Sequence, residues 1–432
     1  MPTSAPERPA ASPRAQRDAA PRIALAAAAA FALAQAAALA ASPRDAAAPY
    51  AFAVVSGVIA SPADEPAAQR MLEAIARERD VAFVVYEGNL KGAKEACRDQ
   101  VYTQRGAILG ASRVPLVLVP GRNDWAACNT AAGGGYDPVE RLDFVRQTLL
   151  ADSASPGPSP LQIARESEVA RFRPYRENTR WVRDDTVFVA LNAPAPNNHY
   201  LIAGGRNGEF EDRSIANGFW IDHAAEYAKR RGARALVMFF EGNPQFDRYE
   251  RAERFAWLRF NRPRPRDGFR ELKRSLVKAA TIFRGPILVV HASGETVPGG
   301  FAIDRPLHED SGELVGNVTR IAIGPHQPAN QWVRVSANPA RQTLFSVSLR
   351  DVPKNLPVPP PLPAMPRDET PLPQMPEIPA LPELPDASSV APPLPGDSGA
   401  PNGLPNGASQ PVPVPVPSPA PGLPASSVQR AP

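Results

Sequence analysis

The stretch VAFVVYEGNLKG at residues 81–92 decides the fold, because an unbroken apolar run ends abruptly in a polar turn that contains glycine. Residues 114–124, VPLVLVPGRND, repeat this pattern further along the chain. Short apolar runs bounded by turn residues are typical of strands buried on both faces of a sheet. Residues 65–79 and 98–111, which precede and follow the first run, have helical sequence. The alternation predicts right-handed crossovers, with the turns gathered along one edge of a mainly parallel sheet.

The alternation of strands and helices continues to about residue 352. Further strands are predicted at residues 50–58, 186–192, 235–240 and 286–290, and further helices at 214–231 and 268–281. Three later segments, residues 318–323, 331–336 and 343–349, alternate apolar and polar side chains. Such alternation predicts antiparallel edge strands. The folded part is therefore expected to be one α/β domain over residues 50–352.

Two terminal segments fall outside this pattern. Residues 1–49 carry arginines, then an Ala-rich apolar run, then the triplet Ala-Leu-Ala at 38–40, which is the order of an export signal. Cleavage and retention as a membrane anchor both stay open, so the protein is expected in the periplasm, outside the cell or at the inner membrane. About half of the 53 prolines lie after residue 350. Residues 353–432 are therefore predicted to be a disordered proline-rich tail, either a spacer or a docking strip.

Charge argues against a nucleic-acid binder. The formal net charge is only +4 over 432 residues. The most basic stretch, residues 248–274, is interrupted by acidic side chains and lacks the one-sided character of a nucleic-acid surface. A solvated helix and loop is favoured there over an anion-binding surface.

The chain contains two cysteines, Cys97 and Cys128. In an exported protein an isolated pair is most simply a disulfide. Two buried free thiols are the alternative.

The order of the strand-end turns carries a resemblance to a known family. Successive predicted strands end in Ser-Gly at 56–57, Glu-Gly-Asn at 87–89, Gly-Arg-Asn-Asp at 121–124, Glu-Gly-Asn at 241–243 and histidine at 291. With segments such as VPLVLVPGRNDWAAC and FAIDRPL, this order resembles the calcineurin-like metallophosphoesterase superfamily, in particular an exported bacterial branch. The resemblance implies an α/β sandwich of mixed β-sheets flanked by helices.

The resemblance also implies two metal ions at these turns, held by Asp, Asn and His side chains, which activate a water for attack on phosphorus. This sequence departs from that pattern. Gly57 stands where the first aspartate belongs, and the neutral Asn89 stands where an aspartate would bridge both metals. Asn123 keeps its place, but the neighbouring Arg122 is a permanent cation that repels metals.

The remaining positions are also only partly kept, because no second histidine follows His291. No catalytic residue is therefore assigned, and no cofactor is expected. The vestigial cleft comprises Gly57, Asn89, Asn123, Asp124, Glu241 and His291. One alternative is a single divalent ion (Mn, Mg, Fe or Zn) on Asn89, Asn123 and His291. Another is an anion held in the cleft by Arg122, with help from Lys91 and Arg206.

These observations predict an exported, metallophosphoesterase-like pseudoenzyme that is catalytically impaired and binds an anionic ligand or an unknown protein partner. An active metal-dependent phosphoesterase, a hydrolase with a rearranged or single-metal site, is the first alternative. A structural envelope protein that acts through its proline-rich tail is the second.

Overall fold

The structure, a computed structural model, describes residues 48–200, 207–246, 266–325, 329–357 and 360. Most of the predicted leader, most of the predicted tail and residues 247–265 of the basic stretch lie outside these residues. The domain boundaries at 49 and 352 therefore stay predictions. Within the described residues, no helix is both long enough and apolar enough to cross a membrane.

The predicted strands and helices form, together with others that were not predicted from the sequence. The strands are β1 Tyr50–Val55, β2 Val81–Glu87, β3 Leu116–Val119, β4 Ala164–Arg165, β5 Thr179–Arg183, β6 Thr186–Ala190, β7 Ala235–Phe240, β8 Ile287–Ala292, β9 Phe301–Asp304, β10 Val318–Ile323, β11 Gln331–Ala337 and β12 Phe345–Asp351. The helices are α1 Glu65–Arg77, α2 Asp99–Gly110, α3 Pro138–Thr148, α4 Gly208–Arg231 and α5 Arg270–Phe283.

The strands form two mixed sheets. The five-stranded sheet has the order β12-β11-β1-β2-β3, and the seven-stranded sheet has the order β4-β5-β6-β7-β8-β10-β9. In each sheet the central strands are parallel. In the first sheet β2 pairs with β1 on one side and β3 on the other. In the second sheet the successive parallel pairs are β6 with β7, β7 with β8, and β8 with β10. Antiparallel strands complete both sheets. The single, mainly parallel sheet suggested by the first apolar runs is thus two sheets.

Aromatic side chains join the inner faces of the two sheets. Phe52 and Phe83 of the first sheet stack with their ring centroids 5.2 Å apart. Phe83 meets Phe188 of the second sheet edge to face at 4.9 Å, and Phe52 meets Phe239 at 5.8 Å. All four are almost fully buried. This layer, with aliphatic neighbours such as Val54 and Val290, is the core between the sheets.

Helices cover the outer faces. Met71 and Ile75 of α1 and Ile108 of α2 pack against the five-stranded sheet. Trp220 of α4 and Leu276 of α5 pack against the seven-stranded sheet in the same way. The α/β sandwich of mixed sheets flanked by helices, expected from the resemblance, is confirmed.

The three late strands are placed differently from the prediction. Of the segments predicted as antiparallel edge strands, only β12 lies at an edge. β10 lies between β8 and β9 and is parallel to β8, and β11 lies between β12 and β1. Partly exposed side chains near the start of β10 produced the misleading alternation, and Arg320 there forms an ion pair with Asp304 on β9.

Candidate functional site

Strand ends from the two sheets meet at one place. β2 ends beside β3, where the backbone nitrogen of Gly88 donates to the carbonyl of Val119 over 2.8 Å. β7 of the other sheet brings Glu241 against them. A Cβ atom on Gly88, whose φ is +70°, would lie 2.4 Å from Cγ of Glu241. A Cβ atom on Gly121 would lie 2.7 Å from the nitrogen of Asn89. Glycine is therefore required at both turns, because the chains approach too closely for a side chain.

Glu241 occupies the middle of this strand-end cluster and is 5% exposed. Its Oε1 accepts a hydrogen bond from Nδ2 of Asn89 over 3.2 Å. Its Oε2 accepts from the backbone nitrogens of Arg122 over 3.3 Å and Ala195 over 2.7 Å. Burial raises the pKa of Glu241 above the usual range of a glutamate, and the three donors act in the opposite direction. The carboxylate therefore links three separate segments of the chain.

Asp124 has a similar structural role one layer deeper. It is fully buried, and its carboxylate accepts from the backbone nitrogens of Gly121, Asn89 and Leu90 over 2.7, 3.0 and 2.6 Å. Desolvation raises the pKa of Asp124 to about 7 against the effect of these donors. The carboxylate thus fixes the two turns after β2 and β3 to each other.

The other predicted cleft residues lie near this cluster. Asn89 has a φ of 60°, and its Oδ1 accepts from the backbone nitrogen of Asn123 over 2.9 Å. The backbone nitrogen of Gly57 donates to the carbonyl of Gly88 over 3.4 Å. The side chain of Arg122 is exposed. Asn89 is therefore a turn-stabilising residue, whose amide is engaged on both its oxygen and its nitrogen.

His291, at the end of β8, is fully buried. Its Nδ1 donates to the carbonyl of Ala292 over 2.8 Å, which leaves the lone pair on Nε2. Nε2 has no hydrogen-bond partner among the described residues. The ring stacks on Phe240 at 5.9 Å, and burial lowers the pKa of His291 to about 4. His291 is thus a neutral histidine in aromatic surroundings.

Sequence reasoning missed Glu87, the last residue of β2. Its side chain is fully buried, and neither carboxyl oxygen has a hydrogen-bond partner among the described residues. Desolvation, with the nearby charge of Glu241, raises the pKa of Glu87 well above its usual range. The sequence signal for a buried carboxyl group here was an acidic residue that directly continues an apolar strand.

The side chains at these strand ends do not match the ligand set of a two-metal centre. Gly57 brings no side-chain ligand and Asn89 brings no charge, whereas two divalent ions need several anionic oxygen ligands. The carboxylates of Asp124 and Glu241 each already accept three N–H groups, which leaves only one of about four lone-pair sites on each. In the described part of the chain, no group of three or more His, Cys, Asp and Glu side chains is arranged to hold a metal ion. The structure therefore gives no basis for a reaction step through a metal at these strand ends.

Of the three residues predicted to hold an anion in the cleft, Lys91 and Arg122 lie in the described part of the chain. Lys91 is 1% exposed, and its Nζ donates to the backbone carbonyl of Glu95 over 2.6 Å. Its ammonium is therefore engaged inside the protein and is no longer a candidate for that role. Arg206 lies outside the described residues. Arg122 alone presents its side chain to solvent beside Glu241.

The predicted disulfide is confirmed. Cys97 and Cys128 are bonded, and both are fully buried. The hydroxyl of Tyr102 lies 3.5 Å from Sγ of Cys128 and donates to the carbonyl of Asp124 over 2.7 Å. The disulfide therefore supports the turn that carries Asp124.

A loop at residues 195–199 borders the cluster. Asn197, Asn198 and His199 all have left-handed backbone conformations, with φ of 51°, 53° and 53°. The buried Arg213 of α4 holds this loop by donating to the carbonyl of Asn198 over 3.0 Å and to its Oδ1 over 2.5 Å. The loop is thus tied to Glu241 at Ala195 and to α4 at Asn198. Consecutive Asn residues, which tolerate this conformation, were the only sequence signal.

No family model matches the chain, and no curated protein does. Among solved structures, 23 chains match. GAP50, the anchor in the inner membrane complex of Plasmodium, is 10% identical with a TM-score of 0.40, and the match covers 72% of this chain and 87% of that one. TT1561 of Thermus thermophilus is 11% identical with a TM-score of 0.37, and the match covers 71% of this chain and 100% of that one.

The matches also include a phosphatase. Purple acid phosphatase PPD1 from yellow lupin (Lupinus luteus) seeds is 11% identical with a TM-score of 0.35, over 72% of this chain and 55% of that one. The chain thus spans about half the length of that phosphatase. Likeness this weak bears on neither the site nor the activity of the present protein.

Proposed function

We propose that this chain is an exported, metallophosphoesterase-like protein whose strand-end cluster is structural, not catalytic, and which acts by binding an anionic ligand or a protein partner. The observation that carries the proposal is the position of Glu241. Its carboxylate accepts N–H groups from Asn89, Arg122 and Ala195 at the point where the two sheets meet.

Charge and geometry both support this proposal. Three of the roughly four lone-pair sites of Glu241 already accept N–H groups, so bidentate ligation of a metal would displace a donor from Oε2. A hydrogen bond to such a buried charged group contributes about 1.5–3 kcal/mol. A two-metal phosphoesterase needs several anionic ligands and an open position for water. Here Gly57 and Asn89 bring no charge, and the Asp124 carboxylate is closed off by three backbone amides.

Export is supported by the chemistry of the cysteines. A buried disulfide such as Cys97–Cys128 is stable in oxidising compartments and rare in the cytosol of most cells. The Ala-rich segment before residue 48 has the order of an export signal, and we propose that it directs the protein out of the cytoplasm.

The test is metal content together with hydrolysis by the purified full chain. We expect less than one bound divalent ion per chain, and no turnover of p-nitrophenyl phosphate or a phosphodiester analogue when Mn²⁺ is added. Metal-dependent turnover that the Asn123→Ala variant abolishes would overturn the proposal. Arg171→Ala, an exposed change away from the cluster, is the matched control.

An active phosphoesterase with one metal ion is the second candidate, and one observation favours it. Glu87 and Asp124 both lie close enough to Glu241 for its charge to raise their pKa values, so three carboxyl groups are gathered at these strand ends. One stoichiometric ion with turnover that Glu87→Gln and Glu241→Gln both remove would establish this candidate. Turnover that survives both changes would exclude the cluster as its source.

A further inference from the structure

A second polar feature lies away from the strand-end cluster and shares no residue with it. A cavity of about 300 Å³ opens between the loop after α3 and the segment around β4. We call it the arginine pocket, and it is lined by Ala151, Ser153, Arg165, Ser167, Glu168, Arg173 and Arg176. Three arginines, one glutamate and two serines therefore line the cavity.

Arg165 is the central group of the arginine pocket. It is 6% exposed, and its Nε and Nη1 donate to the backbone carbonyls of Asp152 and Arg176, both over 2.6 Å. These carbonyls hold the guanidinium plane in place but do not neutralise its charge. Among the described residues Arg165 forms no ion pair, which is unusual for a buried arginine.

The carboxylates of Glu177, Asp152 and Glu168 attract Arg165 through space, but none of them forms an ion pair with it. Both oxygens of Glu177 are bound by Arg146, over 2.8 and 2.7 Å. Glu168 is exposed and accepts from the backbone nitrogen of Arg165 over 3.0 Å. The carboxylate of Glu168, which lines the pocket, is thus bound by the backbone nitrogen of Arg165 and not by its guanidinium.

The other two arginines are available to a ligand. Arg173 is exposed, and Arg176 is half-buried with its Nη1 3.4 Å from the carbonyl of Ala151. Within the described ranges neither forms an ion pair. A guanidinium presents paired N–H donors that match two oxygens of a phosphate, and three around one cavity outweigh the single carboxylate.

We propose that the arginine pocket binds a small ligand that carries a phosphate dianion, either inorganic phosphate or a small phosphate monoester. A volume of about 300 Å³ holds a phosphate with a short organic group and lies at the lower limit of small-molecule sites. Arg165 is the preorganised anchor, and Arg173 and Arg176 close on the ligand from the rim. The proposal is independent of whether the strand-end cluster is catalytic.

The experiment is calorimetric titration of the full chain with inorganic phosphate and, separately, with glycerol 3-phosphate. We expect one site per chain, and a rise in Kd of about tenfold or more for Arg173→Ala, because one charge-assisted contact is lost. Arg171→Ala removes an equally exposed arginine from the same turn but outside the pocket, so its Kd should equal that of the wild type. Tighter binding of glycerol 3-phosphate identifies an organic ligand, and equal binding identifies the free anion.

Three outcomes would overturn the proposal. The first is no binding of either anion at millimolar concentration. The second is equal weakening by Arg173→Ala and Arg171→Ala, which indicates general surface charge. The third is loss of binding in Arg122→Ala with no effect of Arg173→Ala, which puts the anion at the strand-end cluster. Arg165→Lys keeps the positive charge but loses the paired N–H donors of the guanidinium, so it should also weaken binding. Its melting temperature would be measured to confirm that the variant folds.

Discussion

The Oε2 atom of Glu241 lies 2.7 Å from the backbone nitrogen of Ala195, which ties the end of β7 to the loop at residues 195–199. The same carboxylate holds Asn89 and Arg122 in the five-stranded sheet. One side chain therefore joins the two halves of the sandwich where their strands end.

The first prediction concerns that link. Glu241→Ala should lower the free energy of unfolding by about 2–3 kcal/mol, because it leaves half-buried donors on Asn89 and Ala195 without their acceptor. Glu241→Gln keeps one acceptor oxygen and the same length, so it should cost about 1 kcal/mol. Urea unfolding of the full chain measures both values. An alanine variant as stable as the wild type would mean that Glu241 is not a structural link.

The second prediction uses two glycines that share a backbone conformation and differ in their surroundings. Gly88 and Gly57 have φ of +70° and +57°. An added Cβ on Gly88 would meet Cγ of Glu241 at 2.4 Å, whereas one on Gly57 has nothing within 4 Å. Gly57→Ala should therefore cost only the strain of a left-handed residue, about 1 kcal/mol.

Gly88→Ala adds a steric clash to that strain. It should cost at least about 2 kcal/mol more than Gly57→Ala, because Glu241 or the backbone of Gly121 must move. Paired urea curves give the difference directly. Equal destabilisation by the two variants would show that the strand ends are not tightly packed.

The strands and the turns could be predicted from the sequence, but the way in which the strands assemble into two packed sheets could not. Apolar runs such as residues 81–86 show burial through composition alone, and the glycine that follows shows where each strand stops. The division into two sheets depends on pairings between distant segments, such as β1 with β11, that no local pattern encodes. The packing of the two sheets is evident only from the structure, where the rings of Phe52 and Phe188 from different sheets are in contact.

The site was harder to predict because a polar residue in a turn is usually exposed. Glu241 and Asp124 follow strands, and local sequence cannot tell a solvated carboxylate from one that accepts three N–H groups inside the protein. Lys91 shows the same limit, since local sequence does not reveal that its ammonium donates to the backbone carbonyl of Glu95 inside the protein. The arginine pocket had no signal, because its arginines come from separate turns around β4.

The third prediction is a pH dependence of stability that originates at Glu166. This residue is fully buried, and its Oε2 accepts from Nδ2 of Asn178 over 2.7 Å. Desolvation raises the pKa of Glu166 to about 8, and the charge of the neighbouring Glu177 adds to the rise. The folded chain therefore keeps a proton that the unfolded chain releases at an ordinary glutamate pKa.

The sign follows from proton binding. Between the ordinary glutamate pKa and about pH 8 the folded state holds more protons, so the free energy of unfolding falls as the pH rises through this window. Glu166→Gln mimics the protonated group and should remove this part of the slope. Urea midpoints at pH 5, 6.5 and 8 test it, with wild type measured in parallel. A variant whose slope matches that of the wild type would assign the dependence to other groups.

The last prediction concerns the disulfide between Cys97 and Cys128, which are separated by 31 positions. A crosslink across a loop of this length should raise the free energy of unfolding by about 3–4 kcal/mol in the chain-entropy estimate, because it restricts the unfolded chain. The Cys97→Ser/Cys128→Ser double variant should be less stable by that amount, and reductant should bring the wild type towards it. Reductant should leave the double variant unchanged, which is the control. The Tyr102 hydroxyl lies 3.5 Å from Sγ of Cys128 and donates to the carbonyl of Asp124, so the double variant should also loosen the turn at Asp124. Faster amide hydrogen exchange at Leu90 and Gly121 would register that loosening, and unchanged exchange there would confine the role of the disulfide to the unfolded state.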